Sequence, residues 1–316
     1  MLDTVAMRWA YPDVILVATD LSDLDRLMPV AFAQARETGA RLLLFHALNP
    51  AAGFTADPTG MPCYDPGSAM ETAEHTLWPW CQEAQSLNIH CNAMVREGKA
   101  IDQISTVVRQ FHPDRILLCT RSRSRLTKLL LGSVAEQVLR SVNLPVITVG
   151  PEAHLLVDND APGAVLHATT LRETSRPSAA LACTIAAKRG AKLILLHVLP
   201  PADEMTRKGL PLNLDSIAMR ELERLAAGIN IGPRQVEIEP VVVRGNPAIE
   251  ILAEASARST GLIVLGAARS SALENITRDH TVYRVLAHAG CPVLTLRELA
   301  QQAAQPGPEQ SALLHQ

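Results

Sequence analysis

Aromatic residues are scarce, at 3% of a 316-residue chain. So few rings leave few platforms for stacking bases, which argues against a single-strand nucleic-acid binder. An excess of one charge sign is missing as well. Residues 1–150 carry 13 Lys and Arg against 15 Asp and Glu, and residues 151–316 carry 16 against 17. Neither half offers a basic surface for a phosphate backbone, so no nucleic-acid partner is expected. No apolar run reaches the ~18 residues that a membrane-spanning helix needs. The opening MLDTVAMRWAYPD lacks a basic segment followed by an apolar one, so it does not read as a secretory signal. The expectation is a soluble, cytoplasmic protein with no membrane partner. Six cysteines, at 63, 81, 91, 119, 183 and 291, form no C-x-x-C. They read as reduced thiols that mostly fill core. Enzyme signatures are missing too: no G-x-x-x-x-G-K-[ST], no G-x-S-x-G, no G-x-G-x-x-G after a strand, and no SGGxD-type loop. No His/Cys cluster suggests a metal. The expectation is therefore no catalytic residue and no metal site.

What the chain does contain is ample apolar content, 47%, and a repeat of itself. Val14-Ile-Leu-Val-Ala-Thr-Asp20 is echoed by Ala164-Val-Leu-His-Ala-Thr-Thr170. Gly39-Ala-Arg-Leu-Leu-Leu-Phe-His46 is echoed by Gly190-Ala-Lys-Leu-Ile-Leu-Leu-His197. Val95-Arg-Glu-Gly98, Arg115-Ile-Leu-Leu-Cys119 and Leu144-Pro-Val-Ile-Thr148 return as Val242-Val-Arg-Gly245, Leu262-Ile-Val-Leu-Gly266 and Cys291-Pro-Val-Leu-Thr295. The offsets are 150, 151, 147, 147 and 147, in unchanged order. One domain has been duplicated, and each copy is of ordinary domain size. The expected division is 12–150, a linker at 151–163, 164–297, and a disordered tail at 298–316.

Within each copy, short Val/Ile/Leu runs alternate with longer segments of helical period. The runs suit strands buried on both faces of a parallel sheet. Helices are predicted at about 23–38, 68–87, 100–111 and 134–141, then at about 176–189, 213–229, 247–258 and 280–289. This alternation gives two doubly wound α/β domains. Pro145 and Pro292 should each open a last strand, and 54–67, rich in proline and glycine, should be a surface excursion.

In such sheets ligands sit beyond the carboxyl ends of strands, where the strand order reverses. Polar residues mark two such ends in the first copy, at Ala18-Thr19-Asp20 and at Cys119-Thr-Arg-Ser122. The second runs on through Arg123, Arg125 and Lys128 to Gly132-Ser133. These stretches carry a resemblance. ILVATDLS (15–22), GARLLLFHAL (39–48) and LLLGSVAEQVLRSVNLPVITV (129–149) are similar to the universal stress protein (UspA-type) domain. The whole chain resembles a tandem member of that family.

The resemblance implies Rossmann-like domains of the adenine nucleotide alpha hydrolase-like type, each a five-stranded parallel sheet of order 3-2-1-4-5. It also implies that two units pair about a pseudo-two-fold axis through their last strands, 145–149 and 292–296. That makes an intrachain pseudo-dimer, and a homodimer of chains is a further expectation. Nucleotide-binding members carry a loop G-x2-G-x9-G-[ST] around the phosphates and an Asp after strand one against the adenosine. Here the first unit reads Cys119-x2-Ser122-x9-Gly132-Ser133, with Asp20 as the Asp. The second reads Gly266-x2-Arg269-x9-Asp279-His280, with Thr170 in place of the Asp. The implied first-unit site is Ala18, Thr19, Asp20, Ala47, Cys119, Arg121, Ser122, Arg123, Gly132, Ser133 and Val134. Its degenerate counterpart is Thr169, Thr170, Val198, Gly266, Arg269, Asp279 and His280.

The departures matter physically. Glycine lets backbone approach a ligand closely, and a carboxylate at Asp279 would repel a phosphate. The first unit is the candidate for weak ATP or AMP binding, and the second is not. Plainer roles stand beside these. Ser133-x-x-Glu136 also fits a capping box, and Asp279 fits a helix N-cap. Asp20 falls in a charged first turn with Asp23 and Asp25. The Arg121–Lys128 cations fit either a phosphate clamp or a solvated loop. His46 and His197 look like inherited packing. Three functions follow: a non-catalytic stress-response module that binds a ligand or partner, a slow ATP hydrolase or ATP-dependent switch, and a scaffold with no nucleotide.

Overall fold

A computed structural model describes residues 9–50, 55–56, 62–63, 65–120, 131–153, 163–207, 213–229, 235–268 and 275–298. The first unit contains β1 (Val14–Thr19), α1 (Leu24–Thr38), β2 (Arg41–Leu48), α2 (Pro66–Ser86), β3 (Cys91–Glu97), α3 (Ala100–Phe111), β4 (Arg115–Cys119), α4 (Ser133–Ser141) and β5 (Val146–Val149). The second contains β6 (Ala164–Ala168), α5 (Arg176–Arg189), β7 (Leu193–Leu199), the short α6 (Ala202–Arg207), α7 (Leu214–Ile229), β8 (Ile238–Arg244), α8 (Pro247–Ala257), β9 (Thr260–Ala268), α9 (Asn275–His288) and β10 (Val293–Glu298). Within the proline-rich excursion, Thr55–Ala56 pairs with Pro62–Cys63.

The ten main strands form one sheet of order β8-β7-β6-β9-β10-β5-β4-β1-β2-β3. Each half reads 3-2-1-4-5 in its own strand count, as the family resemblance implied. The halves meet where β10 runs antiparallel to β5, with Val293 opposite Thr148, Leu294 opposite Ile147 and Thr295 opposite Val146. Ile147 and Leu294 are equivalent residues, so this register is its own two-fold image. Pro145 and Pro292 stand immediately before these strands. Their carbonyls accept from Ile116 N and Ile263 N, and no donor is asked of them.

The helices divide by face. On one side α1, α2, α5 and α7 lie over a single core that crosses both halves, from Leu27, Leu77 and Ile147 to Leu294, Leu181 and Leu222. On the other side α3 and α4 cover one core around Ile104 and Val138. There α8 and α9 cover another, around Ile251 and Leu286. Leu131 and Leu139 pack against both of these clusters. The alternation of β1 explains the split: Ile15 and Val17 face α1, whereas Leu16 and Ala18 face α3 and α4.

Polar contacts tie the halves as well. Arg189 at the end of α5 forks onto Glu37 of α1, with Nε to Oε1 at 3.0 Å and an Nη to Oε2 at 2.8 Å. Lys188 Nζ lies 4.2 Å from the centre of the Tyr11 ring. On the opposite face the Arg140 guanidinium lies 5.9 Å from the Tyr283 ring centre. Gln34 links this network inward, donating to Glu37 and accepting from Arg115. Arg115 also donates to the Trp9 carbonyl at 2.7 Å. Its guanidinium is fully buried, and burial draws its pKa down to about 10.

Two helix starts differ from expectation. Ser133 is the first residue of α4 and Gly132 is its N-cap, with extended backbone and no side-chain cap. Ser133 is thus one residue too far in to close a capping box, and Glu136 pairs with Arg140 one turn on instead. In the second unit α9 begins at Asn275. Asp279 lies inside the helix and is not its N-cap. Between 275 and 288 no Gly or Pro interrupts the helix, whereas Gly132 stops its counterpart at that very position.

Candidate functional site

The site follows from the sheet. All strands of one half are parallel, so their carboxyl ends share an edge. Thr19 stands level with His46 on β2, and Ala18 with Leu118 on β4. From β1 the chain crosses to one face through α1, and from β4 to the other face through α4. The two exits diverge, which opens a crevice between the ends of β1 and β4.

Ala18, Thr19, Asp20, Ala47, Cys119, Gly132, Ser133 and Val134 all belong to this edge. Gly132 is held there by its N–H, which donates to the Thr120 carbonyl at 2.7 Å. Thr120 N in turn donates to Val149 O at 3.0 Å. Gly132 therefore lies against the end of β4, and α4 starts at the crevice. Ser133 and Val134 are exposed at its first turn. Arg121, Ser122 and Arg123, with Arg125 and Lys128, lie outside the described residues.

The polar groups fall into two sets. Thr19 and Asp23 point inward. Thr19 Oγ1 donates to Asp23 Oδ1 at 2.6 Å and accepts from Leu21 N at 2.9 Å. Leu21 takes a left-handed backbone, φ 73°, which turns the chain sharply out of β1. Burial raises the pKa of Asp23, and the Thr19 hydroxyl partly offsets this. Thr19 thus shapes the turn through its side chain. Asp23 is not simply part of a charged first turn: it is buried and braces Thr19. Cys119 is buried beside it, and burial pushes its thiol up.

Asp20 points outward. It is exposed, and its Oδ1 accepts from Ser22 N at 2.9 Å and from Ser22 Oγ at 2.7 Å. These bonds fix the carboxylate at the mouth of the crevice. His46 Nδ1 meets the Thr19 carbonyl at 2.9 Å, which fastens the end of β2 to the end of β1.

The second unit repeats the frame with other residues. Thr169 Oγ1 accepts from Leu171 N at 3.0 Å and meets Ser175 Oγ at 2.9 Å. Leu171 is left-handed, φ 59°. His197 Nδ1 meets the Thr169 carbonyl at 2.9 Å. Both histidines therefore fasten the same strand ends. Ser175 takes the bracing place of Asp23, and Thr170 stands exposed where Asp20 does. Val198 is half-buried, in the place of Ala47. Gly266 lies within β9, opposite Leu296 of β10. The strand runs two residues beyond it, so this glycine is sheet and not loop. Arg269 lies outside the described residues. Asp279 and His280 are in α9. Among the described residues no three His, Cys, Asp or Glu side chains gather to hold a metal. None of the described helices is long and apolar enough to cross a membrane.

Comparison with known proteins now decides the lineage. The model of the universal stress protein family matches residues 12–150 and again 163–297. The chain belongs to the universal stress protein family. It is a tandem member, with both halves matched. Solved structures agree on the fold. A universal stress protein from Archaeoglobus fulgidus DSM 4304 is 20% identical with a TM-score of 0.66, over 91% of this chain and 99% of that one. A functionally unknown protein from Pseudomonas aeruginosa PAO1 is 16% identical with a TM-score of 0.59, over 92% and 94%. A putative universal stress protein from Pseudomonas aeruginosa UCBPP-PA14 is 16% identical with a TM-score of 0.57, again over 92% and 94%. No curated protein matches the sequence.

Proposed function

We propose that this universal stress protein binds one small anionic ligand per chain, an adenine nucleotide, at the first-unit crevice and does not turn it over. The observation that carries the reading is that Asp20 and the start of α4 stand at the ends of adjacent strands, β1 and β4. Asp20 uses Oδ1 for Ser22, which leaves Oδ2 to accept from a ribose hydroxyl. Across the crevice, α4 begins without a side-chain cap. Its first-turn N–H groups carry the positive end of the helix dipole and suit a phosphate.

The second unit keeps the frame and lacks both halves of this pair. Thr170 has no carboxylate, and at Asp279, the position aligned with Gly132, α9 is already under way. Binding without turnover is the reading supported by how the described polar groups of the first crevice are spent. Thr19 is committed to Asp23 and Leu21, and His46 to the Thr19 carbonyl.

Equilibrium titration of the full chain with ATP and with AMP tests this. One site per chain is expected, weakened about tenfold by Asp20→Ala, the loss of one charge-assisted hydrogen bond. Binding untouched by that change would refute the site. Steady phosphate release from ATP would refute the non-catalytic role.

A further inference from the structure

Cys81 and Cys91 both fill core, and the fold brings them together. Cys81 belongs to the buried stripe Ala73, Leu77, Cys81, Ala84 on α2. Cys91 opens β3, and its side chain points inward between exposed His90 and Asn92. The two sulfurs lie 3.1 Å apart, both as thiols. The connection between them is short and fixed. Leu87 N donates to Glu83 O and Ala84 O, Ile89 N donates to Ala84 O at 2.9 Å, and Asn88 turns in a left-handed conformation, φ 58°.

A disulfide needs a sulfur separation of about 2.05 Å, so bonding requires a movement of about 1 Å. We propose that Cys81 and Cys91 are an oxidant-sensitive dithiol that closes to a disulfide when the protein meets a hydroperoxide.

The chemistry balances. The Cys81 thiolate attacks the outer oxygen of the hydroperoxide and breaks its O–O bond. An alcohol leaves (water, from hydrogen peroxide), and a sulfenic acid forms on Cys81. The Cys91 sulfur then attacks that sulfur, forms the S–S bond and expels water. Two electrons pass from the thiol pair to the peroxide, and the two thiol protons end in the water and alcohol released. The order of attack follows from the contact: the Cys91 S–H supports negative charge on Cys81, which lowers the Cys81 pKa and raises that of Cys91.

Access follows from position. β3 is the last strand of the sheet and, among the described residues, pairs with β2 alone. An edge strand opens more readily than a central one. The second unit supplies an internal control. The buried face of α7 runs Ala218, Leu222 and Ile229, and β8 opens on Ile238, so no thiol stands at either place. Cys119 in β4, Cys183 in α5 and Cys291 just before β10 are buried as well.

The test uses the full-length reduced chain, freed of reductant and treated with hydrogen peroxide under native conditions. Denaturation in N-ethylmaleimide then labels every remaining thiol. The expected product carries four maleimides in place of six, and its peptide map joins Cys81 to Cys91. Cys81→Ser should abolish this two-label loss at the same dose. Should that variant be insoluble, the peptide map of the unmodified chain decides alone. Six labels at every dose, oxidation to sulfinic acid with no cross-linked peptide, or a bridge between other cysteines would overturn the proposal.

Discussion

The two units differ far less in backbone than in chemistry. Left-handed residues recur in register: Leu21 with Leu171, His112 with Ser259, and Gly39 with Gly190. Four of these six are not glycine, so each carries some strain that the surrounding packing must hold. Both units keep that strain, because it sets the turns that carry the chain out of β1, β6 and the helix ends. The side chains at the strand ends have diverged. Asp20 is matched by Thr170, Asp23 by Ser175, and the Gly132 helix start by an uninterrupted α9. Packing constrains the frame in both units. The chemistry at its mouth has been free to change in one.

The comparison can be broken most sharply at Gly132. Gly132→Asp puts a carboxylate at the start of α4, the residue type that the second unit carries at the aligned position 279, and should weaken nucleotide binding at least about 100-fold. Calorimetric titration reads this, with circular dichroism to show that the fold is retained.

Next comes His167, which occupies the place of Val17 in the first unit. It is wholly buried, with Nδ1 on the Val264 carbonyl at 3.0 Å and no partner for Nε2. Burial lowers its pKa from 6.5 to about 4. The unfolded chain therefore takes up this proton first as pH falls. Its contribution is intact above pH 6.5 and is lost on the way to pH 4, about 3 kcal/mol in all. His167→Val should flatten that part of the stability profile measured by urea unfolding. Parallel profiles for the two proteins would count against this account.

A smaller effect is expected at the join. Arg189→Ala strands Glu37 beside Arg115 and removes a forked pair whose side chains are 14% and 22% exposed. That partial exposure places the loss below the range for fully buried pairs, at about 2 kcal/mol. The urea midpoint should move accordingly, and an unmoved midpoint would show that the sheet alone holds the halves together. Smallest of all is Asp279→Gly, which should leave nucleotide stoichiometry unchanged, because Thr170 still supplies no carboxylate at the end of β6.

Much of this architecture was legible in sequence, and for physical reasons. Buried parallel strands read as unbroken apolar runs, and the helices between them showed their period. α3 and α5 begin and end where the periodicity placed them. The duplication fixed the rest, since each unit checked the other. Helix starts were harder. Gly132 and Asp279 align in sequence, but whether a helix has already begun depends on the residues before it. Juxtapositions across distance were hidden altogether. Arg115 reads as the first residue of a strand, and only the fold sets it beside Gln34 and Trp9. Cys81 and Cys91 read as two separate apolar positions. At the site, Asp20 and Gly132 came from the family pattern, whereas the inward brace of Thr19 on Asp23 needed the structure.

The most direct measurement is a count of small molecules released on denaturing the freshly purified protein, by mass spectrometry, and repeated after ATP is supplied at high concentration. The account predicts one adenine nucleotide per chain. Two per chain would contradict the retirement of the second unit, and none, even after ATP is supplied, would contradict the first-unit site itself.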